Sequence, residues 1–168
     1  MLEVILISIL LSLLPIAELR GGIPYAILKD IHPLVAYFVC CLSNILVYPI
    51  VLIFLEYFHK HFLKIKYYQY LFDKFVERTR KKTQKKIEKW GFWGIMVFVM
   101  IPLPVTGAYT GSFAAWIFNI NKRKSFFAVS LGVFIAGIIV TAIVLTGAEA
   151  FGIFINYNFV EAINNSVQ

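Results

Sequence analysis

Apolar residues run through this chain in four long blocks, 1–28, 31–58, 91–118 and 126–148, separated by two short stretches and, between the second and third, by a long basic one, 59–90. Within two of them, residues 34–58 and 126–148 are each long enough to cross a bilayer as one helix, because about 20 residues span the hydrocarbon core. Pro49 is placed to kink the first, while Gly132, Gly137 and Gly147 offer close-packing surfaces on the second. The other two blocks are interrupted. A helix over residues 1–14 rises only about 21 Å, short of the roughly 30 Å core. The chain then breaks at Pro15–Gly22 and restarts at Ile23-Pro24, with proline near the new helix start. Block 91–118 breaks at Pro102–Gly107 and is too short for two spans, which need about 40 residues.

Charge decides how that last block lies. From His59 to Trp90 there are eleven Lys/Arg against three acids, a balance of +8. A single span over 91–118 would put this stretch and Lys122-Arg123-Lys124 on opposite sides, against the positive-inside bias. A re-entrant hairpin that enters near Trp93, turns at Pro102–Gly107 and returns near Asn119 keeps both basic segments cytoplasmic. Non-helical backbone at that depth must be covered by protein or line a wet cavity. Block 1–28 has the same form, and its exit, Lys29-Asp30-Ile31-His32-Pro33, is short and neutral, as befits an outer loop. The expected fold is an all-α integral membrane protein: an inverted repeat of re-entrant hairpin plus transmembrane helix, with interfacial amphipathic helices. The chain divides into a first repeat (1–58), a basic cytoplasmic amphipathic segment (59–90), a second repeat (91–148) and an interfacial tail (149–168). Tyr67–Lys89 is expected to lie on the membrane surface, with Tyr67, Tyr70, Leu71, Phe75, Ile87 and Trp90 on its apolar side.

Composition agrees. The chain has 168 residues, of which 60% are hydrophobic, and a mean hydropathy of +0.79, whereas soluble domains are nearer 45–50% apolar. Met1-Leu2-Glu3 lacks the positive start of a secretory signal, so residues 1–14 read as mature structure. In so apolar a chain, Arg78-Thr79-Arg80-Lys81-Lys82 reads as a cytoplasmic loop attracted to anionic lipid, not as a nucleic-acid site. Adjacent Cys40 and Cys41 point apart on a helix and read as small core residues.

Chemistry concentrates at the breaks. Glu18 and Arg20 sit inside an apolar block, where each charge costs about 2.5–3.5 kcal/mol on insertion scales. Arg20 is expected to hold an anion. Glu18 is expected to bind a coupling proton, because a poorly solvated carboxylate takes one up more readily. The bland alternative is a mutually satisfied pair that pins the hairpin. Gly21, Gly22, Thr106, Gly107, Thr110 and Ser112 lie, with Gly111, where half-helices should begin. Helix N-termini there present free N–H groups and partial positive charge, an anion site to which Thr106 and Thr110 would add hydroxyls. Equally, the glycines permit the turns and the hydroxyls satisfy freed backbone. Asn44, mid-span, either lines the cavity or bonds across helices. Glu56 and Glu149 fall near membrane edges and read as solvated. His59-Lys60-His61 is weak evidence for a metal, and no metal, cofactor or nucleophile–base set is expected, hence no enzyme.

The motifs Pro15-x-x-Glu18-x-Arg20-Gly21-x-x-Pro24 and Pro102-Leu103-Pro104-x-Thr106-Gly107-Ala108-x-Thr110-Gly111 resemble those of the small multidrug export protein family. Asn44 with Pro49, and Leu131-Gly132 with Ala136-Gly137, extend the likeness over about residues 8–145. More distantly, the pattern is similar to the DedA superfamily, which implies two facing re-entrant hairpins and movement of polyprenyl-phosphate carrier lipids. By that likeness Glu18 and Arg20 correspond to the acidic and basic groups of the hairpins. The chain departs from it in having no arginine at the second turn.

The expected function is therefore a plasma-membrane, multi-pass transporter or flippase for an anionic amphiphile, with a polyprenyl-phosphate lipid and protons as partners. One alternative is a proton-coupled exporter of cationic drugs using Glu18. Another is a non-transporting scaffold in membrane biogenesis. A homodimer packed through Gly132 and Gly137 is a further expectation.

Overall fold

The computed structural model describes residues 1–62, 90–102 and 106–166. Its elements are helices α1 (Leu2–Leu13), α2 (Glu18–Leu28), α3 (Pro33–Ile45), α4 (Val47–Phe62), α5 (Trp90–Met100), α6 (Ala108–Ile117) and α7 (Lys122–Ser166), and no strand occurs among the described residues. The expected surface helix over Tyr67–Lys89 and most of the basic segment 59–90 lie outside those residues. Beyond residue 148, where an interfacial tail is expected, α7 runs unbroken to Ser166. No proline or αL residue stands within 122–166 to stop it.

Large apolar side chains cover the outer faces of the helices. On α1, Leu6 and Leu10 are 52% and 61% exposed while Ser8 and Ser12 are 1% and 0% exposed. On α3, Leu34, Phe38 and Leu42 face outward and Cys40, Cys41, Ser43 and Asn44 face inward. Such a surface suits hydrocarbon, where small and polar residues form the helix contacts. Two stretches of 26 residues, Pro33–Phe58 and Lys122–Gly147, are long and apolar enough to cross a membrane. The first is interrupted at Leu46, between α3 and α4. Three residues on, Pro49 has no N–H for the Ile45 carbonyl, and the Leu46 N–H turns to Ser43 instead, at 3.2 Å.

Two short helices followed by a long one occur twice. The two turns into the long helices are alike in detail. α2 ends through Asp30 at φ 62, with Ile31 N–H donating to Ala26 O at 3.0 Å; α6 ends through Asn119 at φ 54, with Ile120 N–H donating to Ala115 O at 3.0 Å. Both are Schellman-type ends. His32 then caps α3 through Nδ1, which accepts from Leu34 N–H at 3.3 Å, and Asn121 caps α7 through Oδ1, which accepts from Arg123 N–H at 3.0 Å. Each of these pairs is 89 positions apart: 30 and 119, 31 and 120, 32 and 121.

Glycines at the same spacing bring the helices together. A Cβ on Gly22 of α2 would overlap Ser12 Oγ and lie 2.8 Å from Ser8 O of α1 and 3.0 Å from Cys40 Sγ of α3. One on Gly111 of α6 would overlap Val99 of α5 and lie 3.9 Å from Val129 of α7. Each short pair therefore folds back on itself and packs on the long helix that follows. The core between the halves is built from Ile23, Cys40, Cys41, Val99, Val129, Val133 and Ala136.

The first break is tighter than expected. α2 starts at Glu18, so only residues 14–17 interrupt the helices, and Pro24 lies inside α2 instead of at its start. Leu14 is extended and Glu18 takes φ 49, so the chain reverses before the glycines are reached. Gly22 serves helix contact instead of the turn, and Gly21 lies inside the first turn of α2. Gly132 and Gly137, expected at a dimer contact, face neighbours inside the chain. Their Cβ positions are filled by Val99 and Met96 of α5 and by Cys41 and Tyr37 of α3, respectively.

Candidate functional site

The two breaks meet. α6 begins on Gly107, which has no side chain to cap the helix. The carboxylate of Glu18, from the other half, takes that role: Oε1 accepts the Tyr109 N–H at 3.3 Å. A negative group at a helix N-terminus is favoured by the free N–H groups and the helix dipole. The fit requires glycine at 107, where φ is 152 and a Cβ would overlap Glu18 Oε2. Glu18 is buried, at 6% exposure.

Arg20 does the opposite job at the opposite end. Its Nη2 donates to the Thr106 carbonyl, to Thr106 Oγ1 at 3.2 Å and to Ile101 O at 3.5 Å, just past the last residue of α5. A cation on the Ile101 carbonyl, at the end of α5, is again the favourable sign. Thr106 Oγ1 itself donates to Ile101 O. The acid and the base of one half thus hold the two open helix ends of the other.

The other half reciprocates at α1, where Tyr109 Oη donates to Leu13 O. Within the first half, Asn44 Nδ2 of α3 donates to Ser12 O at 2.8 Å, so both carbonyls left open at the end of α1 are satisfied. Arg20 and Tyr109 are also 89 positions apart, and each reaches the carbonyls that end the first short helix of the opposite half.

Of the expected site residues, Glu18, Arg20, Thr106 and Gly107 therefore converge. Thr110 Oγ1 bonds within α6 to Gly107 O at 3.4 Å, one turn behind them. Ser112 does not join: it is fully buried and donates to Ala108 O. Asn44, on α3, is also fully buried against α1, and its Oδ1 has no partner among the described residues. A Cβ on Gly21 would lie 2.8 Å from Ala17 Cβ, and Gly22 faces α1 and α3, so neither opens onto the site. Tyr109 was missed. Its signal is its place in the second motif, at the position matching Arg20.

The breaks, the apolar outer surface and the two spans define a small helical membrane protein whose polar centre is made of interrupted helices. The sequence profile of the family described as "Putative small multi-drug export protein" matches residues 18–139. The chain belongs to that family, and the match begins at Glu18 itself. Neither a curated protein nor a solved structure matches the chain.

Proposed function

We propose that this protein is a transporter that moves an anionic amphiphile, a polyprenyl-phosphate carrier lipid foremost, through the centre formed by Glu18, Arg20, Thr106 and Gly107. One observation carries the reading. The group seated on the α6 N-terminus is an anion, the chain's own Glu18 carboxylate, with the Arg20 guanidinium beside it. A phosphate head group has the sign and the acceptor oxygens to replace that carboxylate. A proton on Glu18 removes the charge that holds it on the helix end and frees the N–H for the incoming anion. Loss of that proton returns Glu18 and expels the anion. No covalent step is involved. The motif likeness to DedA proteins supports a lipid substrate.

The proposed setting is an inverted repeat of re-entrant hairpins, α1–α2 from outside and α5–α6 from the cytoplasm, each followed by a span. It draws support from the 89-residue correspondence of caps, turns and packing glycines, and from the short lengths of α1, α2, α5 and α6. Residues 59–90 and 122–124 lie on the cytoplasmic face of the plasma membrane in this arrangement.

The test is translocation of a fluorescent polyprenyl phosphate in proteoliposomes. Arg20→Ala and Glu18→Gln abolish it, while Arg20→Lys, which retains the cation, preserves part of the rate. Full activity in Arg20→Ala protein of unchanged thermal stability would sink the assignment. The family's description favours a second reading, export of cationic drugs with Glu18 as counter-charge. Efflux of a cationic dye that needs Glu18 and ignores Arg20 selects it. Variants that fold and move neither substrate, like the wild type, select a biogenesis scaffold.

A further inference from the structure

Away from the Glu18–Arg20 centre, a groove of about 350 Å³ opens between α4 and α7. We infer that it holds the head group and upper chain of an anionic phospholipid. Along α4 the lining runs Pro49, Leu52, Ile53, Glu56, the spacing of one helix face. On α7 it runs Lys122, Arg123, Phe126, Phe127. The charged members sit together at one end, where Pro33–Phe58 finishes and Lys122–Gly147 begins. The apolar members lie one to two turns further along both spans. A polar rim leading to a greasy floor is the shape of an amphiphile.

The charge of the rim gives the sign of the head group. Glu56 pairs with Lys122. Arg123 then leaves the rim with a net +1, and Lys124 follows it on the same helical turn. A basic pocket between transmembrane helices at the membrane edge is suited to a phosphate-bearing head group. The floor invites a chain: Ile53 is 70% and Phe127 64% exposed. A zwitterionic lipid would gain the floor but not the rim.

The experiment is native mass spectrometry of the full-length protein released from detergent micelles, with phosphatidylglycerol or phosphatidylcholine added. Wild type retains one phosphatidylglycerol in preference to phosphatidylcholine. Arg123→Gln cuts that preference about fivefold, the weight of one basic residue at a membrane surface. Glu56→Gln raises it, by releasing Lys122 to the lipid. Leu52→Trp, which fills the groove from within, abolishes retention, with helicity by circular dichroism checking that the variant folds. Equal retention of both lipids, or a preference that survives Leu52→Trp in folded protein, overturns the inference. So does a stable dimer that Leu52→Trp dissociates, which would assign the groove to a second copy of the chain. These outcomes are independent of what the Glu18–Arg20 centre transports.

Discussion

Arg20 and Tyr109 make the same contact from opposite halves of the chain. The guanidinium reaches Ile101 O and Thr106 O beyond α5, and the phenol reaches Leu13 O at the end of α1. Helices interrupted inside a membrane leave carbonyls that lipid cannot satisfy. Here each half supplies the missing donor to the other, so the breaks are stable only when the halves are docked. The polar centre is thus an interface before it is a binding site.

Removing one such donor should loosen the docking without touching the charges. Tyr109→Phe deletes the bond to Leu13 O and leaves the ring. The expected cost is about 1–3 kcal/mol, since a carbonyl is left buried and unpaired. Thermal unfolding in detergent, followed by circular dichroism, measures it. A variant as stable as wild type would mean that another donor serves Leu13.

Gly107→Ala should be more damaging, for two reasons that act together. At φ 152 any side chain is strained, and this one also meets the Glu18 carboxylate, with Oε1 at 2.6 Å and Cδ at 2.7 Å from the added Cβ. Glu18 must leave the α6 N-terminus. The expected result is a loss of about 2–4 kcal/mol, combining strain with a lost charged cap. In the double variant Glu18→Ala/Gly107→Ala the clash is gone, so its loss should be smaller than the two single losses added. A double-mutant cycle on thermal stability reads that coupling. Strict additivity would show that residues 18 and 107 do not share a site in solution.

Much of this arrangement is legible in the sequence, and what is not has a physical cause. The two breaks, Glu18 and Arg20 stand out because charge, glycine and proline are costly in an apolar run. The extent of the first break does not, because it is set by the αL turn at Glu18, a conformation unusual for glutamate that tertiary contact with Gly107 and Tyr109 holds in place. Composition also hides Tyr109, since a tyrosine among apolar residues attracts no notice. Comparing the chain with itself at an offset of 89 would have set it opposite Arg20. The glycines of α7 are ambiguous in sequence for a similar reason. Small residues mark close contact without saying whether the neighbour is in the same chain.

Asn44 offers a test of lining against support. Its Nδ2 bonds Ser12 O at 2.8 Å in the closed core, away from Glu18 and Arg20. Asn44→Ala should therefore lower stability by about 1–3 kcal/mol, the penalty of an orphaned buried carbonyl. Substrate preference in proteoliposomes should not change, even if the amount of folded protein falls. A shift in preference among substrates would return Asn44 to the site.

Gly137→Val distinguishes packing within the chain from packing between chains. A Cβ at 137 would lie 2.5 Å from Cys41 Sγ and 2.8 Å from Tyr37 Cε2. Tyr37 also donates to Phe134 O at 3.1 Å, which ties α3 to α7 at this level. A valine there cannot be met by rotating one flexible end, because the tyrosine ring is held by that bond and the sulfur is buried. The helices must separate, and overpacking of this kind costs about 1–3 kcal/mol. Gly132→Val should behave alike on the other side of α7, where Val99 Cβ and the Met96 carbonyl stand 2.7 and 2.8 Å from the added atom. If these glycines instead formed a dimer surface, both variants would change the oligomer and spare the monomer. The expected outcome is the reverse: lower unfolding temperatures for both, with the mass measured by light scattering in detergent unchanged. A shift from dimer to monomer at unaltered stability would refute the intrachain contacts and restore the glycines to an interface.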